Sequence, residues 1–324
     1  MEKYKTSHFS ALACLLLWAL ALPVQAQKTV RTIWIVVPFA PGAAQDLAAR
    51  LISEELGKQL GANVLVKNIP GAGGTVGALA VVLAAPDGNT LLLAGSGHYL
   101  AAHLYPKLAY DATKDFSGVA LIGLSGFVFV VPVGSKVNSL TKFMGKVKDR
   151  PMHYNYASAG TGSASHLAMA SLLTQAGLHM QHIPLRSNSD ALIGVSTELV
   201  DGAATVAINV KALKSNPRIV LLAYSGAKRA TSLPELPTVA EAGVPMYAFE
   251  TWTGLLAPAG TPKPEMEKIN RAMAVVSTTP VVLDRLHELG AEFSITSMEA
   301  FQEFLRVDWQ RTGVQVRAAG AMLN

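Results

Sequence analysis

Two stretches of the chain share one chemical design: an apolar run, a glycine-containing turn and the start of a segment with helical spacing. They are Pro38-Phe39-Ala40-Pro41-Gly42-Ala43-Ala44-Gln45-Asp46 and Ala157-Ser158-Ala159-Gly160-Thr161-Gly162-Ser163-Ala164-Ser165-His166. A helix N-terminus offers up to four backbone N–H groups without intrahelical partners and a partial charge of about +0.5. Glycine ahead of it lets the backbone come close to a ligand. In doubly wound sheets ligands bind at the carboxyl ends of strands, where such loops lie. If each loop belongs to a different domain, the two grip one carboxylate from opposite sides without a buried lysine. The competing reading is an ordinary pair of capped turns, in which Asp46 or Ser163 satisfies helix amides.

Other chemistries find little support. Gly71-Ala72-Gly73-Gly74 lacks the G-K-[ST] ending of a phosphate loop, and the full loop motif occurs nowhere. Ser96 in Gly95-Ser96-Gly97 and Ser163 in Gly162-Ser163-Ala164 do not make the G-x-S-x-G nucleophile elbow. A dispersed triad drawn from residues such as His98, His166 and Asp201 stays open on sequence alone. His179 and His182 are three apart with no acidic or cysteine ligand beside them, and H-E-x-x-H is absent, so neither a metal nor a cofactor is expected.

The elements that would position the two loops alternate between strands and helices, the pattern of parallel α/β architecture. Thr32 to Phe39 reads as a strand buried on both faces. Leu47, Leu51, Ile52, Leu56 and Leu60 then recur at helical spacing, with Gly61 as C-cap. Strands are expected at Asn63 to Lys67 and Thr90 to Ala94, with a helix over Val76 to Ala85 between them. Val119 to Val133 reads as a strand that crosses between domains and continues past Gly126. A second unit follows: helix Ser139 to Val147, strand Tyr154 to Tyr156, and helix Ala164 to Ala176 with Leu167, Leu172 and Leu173 inward. Ala203 to Ile208 and Val220 to Tyr224 are further strands. Phe249 to Pro258 is a strand returning the chain to the first domain, and Lys263 to Ala319 is mostly helical. The outcome is two α/β domains joined by two crossovers, a hinged architecture with a cleft.

Length and composition agree. The 324 residues suit two domains, and half of them are hydrophobic while 15% are charged, which argues against disorder. Lys3 and Lys5 precede an apolar run from Phe9 to Leu22, and Val24-Gln25-Ala26 supplies small residues for cleavage before Gln27, the layout of a secretory signal peptide. Without residues 1–26 the chain has 25 basic and 21 acidic residues, dispersed, which gives no case for nucleic acid. The single cysteine, Cys14, lies within the signal segment, so neither a disulfide nor a thiol nucleophile is expected in the exported part.

Several stretches, in colinear order, resemble the Bug-type periplasmic solute-binding proteins of tripartite tricarboxylate transporters. They are PFAPGAAQDLAARLI (38–52), NIPGAGGTVGA (68–78), APDGNTLLLAG (85–95), YDATKDFSGVALIG (110–123), YASAGTGSASHLA (156–168), KRATSLPELPTVAEAGVP (228–245), WTGLLAPAGTPKP (252–264) and LGAEFSITSMEAF (289–301). The resemblance implies a type II-like Venus flytrap of two doubly wound α/β domains joined by two crossover strands. Domain 1 would comprise 27–126 and 249–324, and domain 2 residues 127–248. The implied function is capture of a small organic carboxylate in the periplasm and delivery to membrane permease subunits by a monomeric receptor with no catalytic activity. Carried over residue by residue, the ligand contacts are Phe39, Gly42, Ala43 and Asp46 on one side and Ser158, Gly160, Thr161, Ser163 and His166 on the other, with Ser96 counted beside them.

The chain departs from that family's pattern at Ala43, where a second glycine is common, and at Ala101-Ala102, in place of Asn-Pro. It also departs at Leu185-Arg186-Ser187, in place of a Tyr-Lys-Gly type segment, and at Glu198, in place of glycine. Arg186 enters as a candidate partner for a second carboxylate, because a guanidinium can hold one bidentately. Two alternatives remain on sequence alone: a ligand sensor for a signalling partner, and an exported serine hydrolase using Ser163 or Ser96.

Overall fold

The computed structural model describes residues 30–105, 107–206, 213–288, 292–293 and 295–318. The expected signal peptide, and the last two residues of the strand expected over Ala203 to Ile208, lie outside them. Among the described residues no helix is long and apolar enough to cross a membrane.

The first half-sheet grows from β1 (Thr32–Val37), β2 (Asn63–Asn68) and β3 (Thr90–Gly95), with β1 parallel to both others. Between them run α1 (Ala44–Leu60) and α2 (Thr75–Val82). α1 follows its apolar spacing and stops at Gly61, whose φ of 61° lets its N–H turn back to the Gly57 carbonyl. α3 (Ser96–Leu104) follows β3 directly. The sequence reading missed it, because Gly97 and two histidines within nine residues obscure its period.

β4 (Phe116–Pro132) is a single strand of 17 residues. Phe116 to Gly126 pairs antiparallel with β9 (Glu250–Pro258), which in turn pairs with β3. From Phe127 onward β4 pairs instead with β7 (Gly202–Val206) and β8 (Ile219–Tyr224). The same strand therefore serves two half-sheets, and the change falls at Gly126–Phe127. The second half-sheet is completed by β5 (Asn155–Ser158), parallel to both β7 and β6 (Gln181–Pro184). α4 (Leu140–Asp149), α5 (Ala164–Ala176) and α6 (Asn188–Ser196) cover it. β6 and α6, four and nine residues long, are too short to display a period in the sequence.

α7 (Lys263–Val276), α8 (Pro280–Glu288), β10 (Glu292–Phe293) and α9 (Met298–Ala318) complete the chain. Among the described residues the mixed sheet has ten strands, in the order β2-β1-β3-β9-β4-β7-β5-β6, with β8 and β10 also on β4. Each half-sheet is packed on both faces. Ile33, Ile35 and Leu91 meet α1 and α7 on one side of the first, and Leu92, Trp252 and Phe301 fill the other. Phe129, Leu167 and Leu172 fill one side of the second, and Val128, Ala157 and Val195 the other. α3 and α9 reach across: Leu100 and Val316 belong to the second core, whereas Tyr99 and Phe301 belong to the first.

Candidate functional site

The first loop leaves β1 at Val37 and enters α1 at Ala44. Its organiser is Asp46, 2% exposed. Asp46 Oδ2 accepts the Gly42 amide at 2.9 Å and Arg50 Nε at 3.1 Å. Oδ1 accepts Asn68 Nδ2 at 2.9 Å and lies 3.0 Å from Arg50 Nη2. Asn68 also donates to the Phe39 carbonyl at 3.1 Å, closing the loop onto β2. The Arg50 guanidinium, helped by the Gly42 and Asn68 donors and opposed by burial, holds the Asp46 carboxyl down at about 2. Asp46 is therefore an anion at neutral pH whose acceptors are already used in shaping the loop.

Ala43, the N-cap of α1, has no side-chain acceptor to offer. The first-turn amides of Ala44, Gln45 and Asp46 are thus left uncapped at the positive end of a 17-residue helix. Ala43 adopts φ −65° and ψ 159°, which any residue can take, so the departure from glycine here costs no strain.

The second loop leaves β5 at Ser158 and enters α5 at Ala164. Ser158, fully buried, accepts the Gly160 amide at 3.1 Å, contacts the Gly160 carbonyl at 3.0 Å and meets His182 Nε2 at 2.7 Å. Ser163 caps α5 by accepting the His166 amide at 3.2 Å. His166 Nδ1 accepts the Gly162 amide at 3.1 Å, and Ser165 Oγ accepts the Ala159 amide at 3.0 Å. Gly162 has φ +77°, a left-handed conformation that favours glycine, and a Cβ there would lie 2.7 Å from Leu104 Cδ1, so a side chain would also have to push the end of Leu104 aside. Burial, with the neighbouring His182, lowers His166 to about 4 and keeps the ring neutral.

The sequence-derived residues fall into distinct groups. Asp46, Ser158, Ser163 and His166 shape the loops, and the amides of Gly42, Gly160 and Gly162 are spent inside them. Thr161 is exposed on the loop surface. Phe39 lines a crevice of about 20 Å³ together with Gln45, Gly74, Gly97, His98 and Tyr110. Ser96 Oγ accepts the Trp252 amide at 2.9 Å and borders a second crevice of about 20 Å³. In it Ser96 and Leu100 of α3 meet Ala164 and Leu167 of α5 and Arg311 of α9. Neither Gly42 nor Gly160 lines either crevice. Arg186 is 93% exposed and its Nε bonds Asp190 Oδ2 at 3.2 Å. Ser187 caps α6, and Glu198 sits at φ +62°, the left-handed region that explains why glycine suits that position.

Sequence reasoning passed over the supporting residues Arg50, Asn68, Ser165 and His182. The available signal was His182, noticed only as half of a metal-like pair. Among the described residues no three His, Cys, Asp or Glu side chains gather as a metal site. Ser158 and His182 make a serine–histidine contact, yet the serine is inaccessible and His182 has no carboxylate partner among the described residues.

The arrangement, two α/β lobes sharing two crossing strands with a helix-terminal loop at strand ends in each, is that of two-domain periplasmic binding proteins. MatC from Rhodopseudomonas palustris, solved with bound malate, is 32% identical with a TM-score of 0.74, over 89% of this chain and 99% of that one. Another R. palustris protein, solved with adipate, is 28% identical with a TM-score of 0.79, over 91% of this chain and all of that one. Protein BugT of Bordetella pertussis is 30% identical over 312 residues, 94% of each chain. Residues 48–320 match the model of the tripartite tricarboxylate transporter family receptor, TctC, and the chain belongs to that family. Its members are solute-binding proteins and not enzymes.

Proposed function

We propose that the chain is an exported periplasmic receptor that closes two lobes on a small organic carboxylate and presents it to the permease of a tripartite transporter. The lobes are 27–126 with 249–324, and 127–248, turning about Gly126–Phe127 and the start of β9. The observation that carries this reading is the uncapped N-terminus of α1 in one lobe and a second, internally braced helix-terminal loop in the other. The malate and adipate held by two structural relatives support the ligand class, and the residues 1–26 support export. One ligand carboxylate takes the amides of Ala44 and Gln45 from α1 and those of Thr161 and Ala164 from the second loop. Phe39 and Ser96 flank it, and the receptor acts as a monomer. Ligand favours the closed state because only there do both loops reach it.

Thermal-shift screening against mono-, di- and tricarboxylates, amino acids and neutral sugars tests the reading. A ligand that binds only the native state stabilises it by RT ln(1 + [L]/Kd), about 2.7 kcal/mol at a hundredfold excess over Kd. At least one carboxylate raises the melting temperature and its amide analogue does not. A shift with neutral sugars alone contradicts the reading.

A further inference from the structure

The ring of His166 lies parallel to that of His182, with centroids 4.0 Å apart and planes at 9°. Tyr156 lies nearly parallel to both rings, its centroid 5.0 Å from His182 and 6.3 Å from His166. Each histidine anchors a different part of the second loop: His166 Nδ1 accepts the Gly162 amide, and His182 Nε2 meets Ser158, whose hydroxyl brackets Gly160. The two anchors respond differently to a proton. His166 needs an unprotonated Nδ1 to accept a backbone N–H, which fixes its Nε2–H tautomer. His182 satisfies Ser158 as a donor, which leaves the hydroxyl proton for the Gly160 carbonyl, and it keeps that role when protonated. The titratable groups facing His166 among the described residues are His182 from β6 and Tyr156 from β5. α3 presents the apolar Leu104 to Gly162, and neither ring has a carboxylate partner among the described residues.

We propose that His166 and His182 are the positioning residues of the second loop, and that a proton on His166 Nδ1 releases Gly162 and loosens the loop's grip on ligand. A proton taken from solvent converts Nδ1 from acceptor to donor, so it repels the Gly162 N–H. The imidazolium charge sits against a second ring with no anion to balance it. The loop is braced at neutral pH and let go in acid. The ligand-grip half of the proposal rests on the receptor reading above; the loop half stands on the geometry alone.

The test is an NMR titration of the protein from pH 7.5 to 4, following the His166 ring and the amides of Gly160 and Gly162, with circular dichroism alongside. In the native sequence the His166 ring and the Gly162 amide shift with one shared midpoint below pH 5 while the circular dichroism holds steady. His166→Gln, whose side-chain oxygen can accept the amide without titrating, keeps the Gly162 amide in place over that range. His182→Gln moves the His166 midpoint upward, because the neighbouring ring is gone. A His166 midpoint near 6.5 with a still Gly162 amide overturns the proposal. So does an identical amide shift in His166→Gln, or global unfolding at the same midpoint. A parallel titration with adipate compares Kd at pH 4 and pH 7. The ratio is about twofold larger in the native sequence than in His166→Gln, the size that half-protonation of a ring lowered to about 4 sets, a comparison in which the ligand's own protonation cancels. Equal ratios overturn the grip half. If adipate and every other carboxylate fail to bind, the receptor reading fails while the amide titration still decides the loop.

Discussion

Ser225 Oγ accepts the Phe127 amide at 2.6 Å, where β4 passes from one half-sheet to the other. The same hydroxyl donates to the Phe249 carbonyl, so one buried serine ties together both segments that cross between the lobes. The backbone repeats the link: Ser225 N–H bonds the Phe127 carbonyl and Phe249 N–H bonds the Ser225 carbonyl, each at 2.8 Å. Ser225→Ala leaves a buried amide and a buried carbonyl without partners, at a cost of about 1–3 kcal/mol. Urea unfolding measures it, and a loss below about 0.5 kcal/mol, the range of ordinary surface substitutions, would mean the hydroxyl does not hold the hinge.

Ala43 is the weak point of α1 and, on the proposed function, its purpose. Ala43→Asp supplies the missing cap and stabilises the ligand-free protein by about 1 kcal/mol. Its carboxylate then occupies the amides meant for the ligand's, so carboxylate affinity falls at least tenfold. Calorimetry on the variant checks both halves. Improved stability with unchanged affinity would place the ligand elsewhere.

Glu198 holds a left-handed conformation that disfavours any side chain. Glu198→Gly relieves it and raises stability by about 1 kcal/mol, read as a higher urea midpoint with the same slope. An unchanged or lower midpoint would mean that the carboxylate of Glu198 makes up for the strain.

Much of this was legible in the chain itself. α5 ends where Gly177 allows its left-handed cap, and β4 passes Gly126 unbroken as its two apolar runs imply. The two loops were legible as well, because glycine before a helix is a local signal. Their internal wiring was not. Asp46 and His166 were read as ligand contacts, whereas their partners include Asn68 and His182, which are remote in sequence and come near only through strand pairing. Arg186 looked available, and its nearest acid, Asp190, lies one helical turn away.

Acid stability follows from the same buried groups. Burial lowers His98, and burial with His182 lowers His166, each from 6.5 to about 4. Below about pH 6.5 the unfolded chain takes up protons that the native fold refuses, so stability falls as pH drops from 6.5 toward 4. Each ring contributes on the order of 3 kcal/mol at the limit. Asp46, lowered to about 2, adds a loss below its unfolded value of 3.8. Urea unfolding at pH 7, 5.5 and 4.5 gives decreasing stabilities, with a smaller decrease in His98→Gln. A flat profile would contradict the assignment.

In the proposed receptor one anion is held by helix ends from both lobes, and amide shifts on titrating the tightest-binding carboxylate measure this directly. Gln45 and Ala44 in one lobe, and Thr161 and Ala164 in the other, move together along a single isotherm with one shared Kd. Movement confined to either loop, or two isotherms with separate constants, contradicts it.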